Sequence, residues 1–196
     1  GVCNNSGDAL AGCVPEGGRL LWYVRHGEST GNVAKSKAQA LDEKEGGTRQ
    51  FEEYRTSDLY VDTPLSEKGL SQAAEVAQQV ASWQAKPALV VCSALTRAIQ
   101  TAAIMFWREL AAGSARLVIR PELREFYPDN NENKGRPVGE LRRCPRLRAL
   151  QQWPVIEAAL VNAAVAEWQG AWDEQWAQGE GWEAHCGGDG RLGALA

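Results

Sequence analysis

Leu20-Leu21-Trp22-Tyr23-Val24 is an unbroken apolar and aromatic run, with Gly17-Gly18 before it and Arg25-His26-Gly27 after it. Its length and flanks predict a buried strand. A polar stretch from Ser29 to about Tyr60 follows, with helix-forming residues from Val33 to Lys44. Past Pro64-Leu65-Ser66-Glu67, apolar side chains recur at Leu70, Ala73, Ala74, Ala77, Val80 and Ala81, one face of an amphipathic helix. Ala88-Leu89-Val90-Val91-Cys92 predicts a second buried strand. Ile99, Ala102, Ala103, Phe106 and Leu110 form another helical stripe, and Leu117-Val118-Ile119 a third strand.

Strand, helix, strand, helix, strand is the order of an α/β fold with a parallel sheet. Ligands of such folds sit outside the carboxyl ends of the strands. Two of the expected strands end on polar loops of interest: Val24 runs into Arg25-His26-Gly27, and Cys92 into Ser93-Ala94-Leu95-Thr96-Arg97. Beyond Pro128 the pattern changes. Asp129-Asn130-Asn131-Glu132-Asn133 predicts a polar loop. Arg136, Arg142, Arg143, Arg146 and Arg148 crowd a short span, read mainly as a solvated surface. From Pro154 an alanine-rich helix is expected to reach about Gln178, with Trp168, Trp172 and Trp176 on one face for packing or contact.

The chain has 196 residues, enough for one domain with its own core and without disulfide or metal staples. Residues 1–18, with five glycines, read as a loose leader, and 19–196 as the domain. A formal net charge of -4 gives none of the basic footprint of a nucleic-acid binder. No apolar run approaches the ~20 residues that span a bilayer. The five cysteines include no C-x-x-C pair, so free thiols in a reducing compartment are expected. Residues 1–18 lack the apolar stretch of a secretory signal. A cytoplasmic protein is therefore expected, with a cut organellar transit peptide as the alternative.

Residues 25–32 read Arg-His-Gly-Glu-Ser-Thr-Gly-Asn and hold the most suggestive chemistry. Phosphoryl transfer from an ester needs a nucleophile, positive charge on the phosphate oxygens and a proton for the departing oxygen. Neutral His26 can be the nucleophile, forming a labile phosphoramidate. Arg25 and Arg97 can grip phosphate oxygens, and their charges should hold the His26 pKa down. Gly27 allows close backbone approach, and amides of Ser29 to Gly31 could face an anion from a helix start. Asn32 can donate to an oxygen or fix the His26 ring.

With these residues the sequence resembles the histidine phosphatase superfamily, in its phosphoglycerate mutase-like branch. Three further segments resemble that family in the right order: Asp62-Thr63-Pro64-Leu65-Ser66-Glu67-Lys68-Gly69, Cys92-Ser93-Ala94-Leu95-Thr96-Arg97-Ala98-Ile99-Gln100-Thr101-Ala102, and Leu123-Arg124-Glu125. The resemblance runs from about Leu20 to Phe126. It implies a three-layer α/β/α fold with a mostly parallel sheet. It implies His26 as the phosphorylated histidine, Arg25, Asn32 and Arg97 as phosphate ligands, and Glu125 as proton donor, with Glu122 the less favoured acid. A general acid works best with a raised pKa. No metal and no cofactor is expected, because the arginines supply the charge.

One departure stands out. The family pairs its nucleophile with a second histidine on a loop after a late apolar strand. Only His185 is available, in His185-Cys186-Gly187-Gly188, and no apolar strand precedes it. The expectation is a domain cut short at Ala196, with the partner histidine beyond it. The function expected is metal-independent phosphoryl transfer, foremost as a phosphatase of a small phosphorylated metabolite. A phosphoglycerate-type mutase and a non-catalytic phospho-ligand binding module are the alternatives. Substrate identity and oligomeric state are not specified by the sequence.

Overall fold

The structure, a computed structural model, describes residues 18–123, 125 and 130–165. Helix α1 (Thr30–Glu45) starts where Ser29 and Asn32 form a capping box: the Asn32 amide donates to Ser29 Oγ, and the Ser29 amide to Asn32 Oδ1, both at 3.0 Å. Such reciprocal bonds satisfy two of the amide donors that a helix start leaves open. The helix ends on Gly46 in the left-handed region (φ 73°). Asp42, inside α1, accepts the amides of Gln50 and Phe51 at 2.8 Å and so caps α2 (Arg49–Thr56). The expected polar stretch thus folds as a helical hairpin.

Helix α3 (Glu67–Ser82) is capped by Ser66 Oγ, which accepts the Gly69 amide, and buries Gly69, Ala73, Ala77 and Val80. This is the expected apolar stripe, shifted so that Leu70 and Ala81 are only half buried and Ala74 is exposed. Strand β1 (Leu89–Ser93) leads to α4 (Thr96–Met105), α5 (Trp107–Ala111) and β2 (Arg116–Arg120). β1 and β2 pair in parallel, with Val90 opposite Leu117 and Cys92 opposite Ile119. Helices α6 (Val138–Arg143), α7 (Pro145–Arg148) and α8 (Trp153–Val165) follow. Leu141, Leu147, Ile156 and Leu160 from these helices join Val90, Leu117, Ile119, Ile99 and Phe106 in one core. The fold is mixed α/β with a parallel sheet, as the order of elements implied.

The run Leu20–Val24 departs from expectation. It makes no sheet ladder among the described residues, and Leu21 and Tyr23 are 88% and 96% exposed. Leu20 and Trp22 are half-buried, and Trp22 stacks on Trp83 with ring centroids 5.3 Å apart. A strand is stabilised by a neighbour to pair with, and this run forms no ladder with any described segment. In the arginine-rich span Arg142, Arg143, Arg146 and Arg148 are exposed as expected, while Arg136 is half-buried. Arg142 pairs with Glu157 at 3.4 Å, while Val138, Leu141 and Leu147 between the arginines face the core. Cys92 and Cys144 are free thiols, and burial pushes the Cys92 pKa up to about 12. No helix among the described residues is long and apolar enough to cross a membrane. The leader up to residue 17, the tryptophans 168, 172 and 176, and His185 lie outside the described residues.

Candidate active site

The loop carrying His26 is stitched to the segment before α3. The Thr30 amide donates to Pro64 O at 2.9 Å, and the Ser66 amide to Glu28 O at 2.8 Å. Glu28 accepts from Ser66 Oγ at 2.8 Å and from Lys68 Nζ at 3.1 Å, which holds its carboxyl below the usual carboxylate range. Glu28 and Ser29 therefore serve as structural ties. The backbones also meet directly. A Cβ on Gly69 would lie 2.0 Å from Glu28 O, and one on Gly27 would lie 2.6 Å from Gly69 O. Only glycine at both positions permits this approach.

The imidazole of His26 is held from both sides. Its Nδ1 is 2.7 Å from Gly27 O, and Arg97 Nε donates to its Nε2 at 3.1 Å. A carbonyl only accepts and a guanidinium only donates, so the proton sits on Nδ1 and the lone pair on Nε2. That is the tautomer a nucleophile attacking through Nε2 requires. Burial is the main cause lowering the His26 pKa from its ordinary value of 6.5. Arg97 and, more weakly, Arg25 lower it further, while the Gly27 bond and Glu125 act the other way. The cations expected to hold the pKa down do contribute, but desolvation outweighs them. The neutral form is expected to persist below pH 6.5, so an NMR titration of the His26 ring should show a midpoint under 6.5. A midpoint at or above 6.5 would contradict this environment.

Arg97, in the first turn of α4, is 1% exposed. Besides Nε, its Nη1 donates to Glu132 O at 2.8 Å and its Nη2 to Asn133 Oδ1 at 2.7 Å. Glu125 lies against the same pair: Oε2 is 3.5 Å from Arg97 Nη2, and Oε1 is 3.9 Å from His26 Nε2. Glu122 instead sits 4.0 Å from Arg120 and makes no contact with His26.

Beside His26 opens a polar cavity of about 420 Å³, walled by Arg25, Glu28, Asn32, Gln72 and, farther along α1, Lys35, Ser36 and Gln39. Asn32 is committed through Oδ1 to the Ser29 cap, which leaves Nδ2 as its donor to the cavity; the His26 ring is fixed by Gly27 and Arg97 instead. Of the five expected site residues, Arg25 and Asn32 line the cavity with His26, while Arg97 and Glu125 lie at His26 Nε2.

Four residues of this neighbourhood were not singled out from sequence. Asp62, with a left-handed φ of 49°, accepts the Thr96 amide at 2.7 Å and Thr96 Oγ1 at 2.6 Å. Burial raises its pKa to about 6 against these bonds. Glu132 accepts from the Tyr54 hydroxyl and from Asn130 Nδ2. Asn133 and Thr101 complete the set, Thr101 Oγ1 accepting the Gly27 amide at 3.2 Å. The Asn-rich run before Lys134 was the only signal for Glu132 and Asn133, and it resembled a solvated loop.

A profile of the histidine phosphatase superfamily (branch 1) matches residues 21–159. No curated protein and no solved structure matches the chain. The match takes in both the His26 loop and the arginine that faces it, and covers well over half of the sequence: the chain belongs to the histidine phosphatase superfamily (branch 1), which supports phosphoryl transfer through a phosphohistidine.

Proposed function

We propose that this chain is a metal-independent phosphatase of a small phosphorylated metabolite, working through phospho-His26. The observation that carries the reading is the His26 tautomer, with its Nε2 lone pair turned to Arg97 and a carboxylate 3.9 Å away. The substrate phosphate would enter between Arg25, Asn32 and Arg97, and Arg97 Nε would pass from Nε2 to a phosphate oxygen. Nε2 then attacks phosphorus, the P–O ester bond breaks, and Glu125 gives its proton to the departing oxygen. Positive charge developing on the ring is stabilised through Nδ1–H by the Gly27 carbonyl. In the second step water attacks phosphorus, the P–N bond breaks, and Glu125 takes back a proton as inorganic phosphate leaves.

Arg25 and Lys35 are paired with no carboxylate among the described residues, which suits an anionic ligand in this cavity. The nearness of Glu125 to Nε2 favours an enzyme over a phospho-ligand binding module. The exposure of Arg25 and Gln39 on the cavity wall favours hydrolysis over a mutase cycle, which must retain its dephosphorylated intermediate.

The test is turnover of phosphate monoesters with a chelator present, in the parent and in Glu125→Gln. The parent should release phosphate. The variant should lose about 10²-fold or more on an alkyl phosphate, whose leaving oxygen is strongly basic, and far less on a nitrophenyl phosphate. Equal losses on both would remove Glu125 from the proton-donor role, and an inert parent would sink the phosphatase reading.

A further inference from the structure

Arg97 carries three separate jobs at one guanidinium: it faces the nucleophile, would hold the phosphate, and is buried as a charge. A long side chain of this kind loses substantial rotamer freedom when it is fixed. The structure fixes it at both ends. At the backbone end, Leu95 precedes α4 without giving a side-chain cap. Asp62 supplies that cap from another part of the chain, binding the Thr96 amide and hydroxyl at 2.7 and 2.6 Å. Arg97 is the next residue, so the carboxylate sets where its Cα starts. Arg136 Nε stands 3.6 Å from Asp62 Oδ2 and Arg136 Nη2 donates to Val61 O at 3.1 Å, which ties the Asp62 loop to the segment leading into α6.

At the guanidinium end, Asn133 Oδ1 and Glu132 O accept the two Nη groups. They belong to a 3₁₀ turn, Asn131–Asn133, that is itself anchored. Tyr54 donates to the Glu132 carboxylate, and Asn131 Nδ2 donates to Thr56 O at 2.7 Å, so α2 holds the turn. Burial and the Glu132 partner push the Tyr54 pKa upward, keeping its hydroxyl a donor. With both Nη groups engaged, Nε is the donor directed at His26 Nε2.

We propose that Asp62 and Asn133 are positioning residues of the phosphoryl-transfer site, which set the direction of the Arg97 guanidinium from its two ends without touching the substrate. The proposal rests on Arg97 acting in phosphate binding as described above. It adds that the grip depends on two residues outside the cavity wall.

Three variants and two readouts test it in the full chain. Asn133→Ala removes the Nη2 acceptor from an outer turn. Asp62→Asn keeps an acceptor for the Thr96 amide but loses the carboxylate, and Asp62→Ala loses both acceptors. The inhibition constant of vanadate, or the dissociation constant of inorganic phosphate if turnover is too slow to inhibit, should rise about tenfold or more in Asn133→Ala. In the Asp62 series the rise should be larger for Ala than for Asn. The His26 titration midpoint should move up toward 6.5, because Arg97 is one of the causes holding it down. A merely structural role would lower the melting temperature and leave both readouts in place.

Unchanged anion binding and an unchanged His26 midpoint in folded Asn133→Ala would overturn the proposal, whether or not the Asp62 variants fold. If Arg97→Ala itself left anion binding unchanged, the fault would lie with the phosphate role of Arg97. If Arg97→Ala abolished binding and Asn133→Ala did not alter it, only the positioning proposal would fall.

Discussion

His26→Ala is expected to remove turnover, by on the order of 10⁴-fold or more, while the chain still folds. The other groups at the cavity are poorer nucleophiles: Arg25, Lys35, Asn32, Gln39 and Gln72 are cations or amides, the Glu28 carboxylate is engaged by Ser66 and Lys68, and the Ser36 hydroxyl is weak unless a base activates it. The fold should survive because the ring hangs on a loop and the variant forfeits only its bonds to Gly27 and Arg97. Arg97 stays held by Glu132 and Asn133. Melting temperature and steady-state rate on a nitrophenyl phosphate check both halves. A phosphorylated intermediate trapped from the parent should be labile in acid, stable in alkali and missing from the variant. Near-parental turnover in His26→Ala would remove the histidine from the mechanism.

Arg97→Ala is expected to cost on the order of 2–4 kcal/mol of transition-state stabilisation, read from kcat/KM. It should also lower stability by about 1–3 kcal/mol, since Glu132 O and Asn133 Oδ1 lose a buried donor. Vanadate should inhibit the variant far less than the parent. Arg97→Lys should restore folding better than function, because an ammonium keeps the charge but cannot present the three nitrogens that His26, Glu132 and Asn133 share. An unaltered inhibition constant for vanadate in folded Arg97→Ala would exclude the arginine from phosphate binding.

Much of this arrangement was legible in the sequence because its determinants are local. The stripe ending at Val80 and the one through Ile99 and Ala103 repeat at helical spacing, and both helices form there. Arg25, His26, Asn32, Arg97 and Glu125 were proposed from residue type together with the resemblance of their segments to one family. What escaped notice depends on partners far along the chain. Asp62 lies in a segment that was singled out, yet its partner Thr96 is thirty-four residues away. Glu132 and Asn133 look like loop residues until a buried guanidinium is set against them. Leu20–Val24 shows the reverse error: an apolar run says that burial is favourable and leaves open what would cover it, and here Leu21 and Tyr23 stay exposed.

The direct meeting of Gly27 with Gly69 has a consequence for how disorder is distributed over the reaction. No side chain separates the His26 loop from the first turn of α3, so there is no rotamer to adjust between them. The loop and the helix can shift only as one rigid piece. In the proposed reaction the entropy lost in orienting His26 is therefore lost during folding, and substrate binding would have no such ordering left to do there. Glu125, with a side chain 57% exposed against 12% for His26, keeps more of its freedom. On that reading the ordering that remains for each encounter would fall on Glu125 and the incoming phosphate ester.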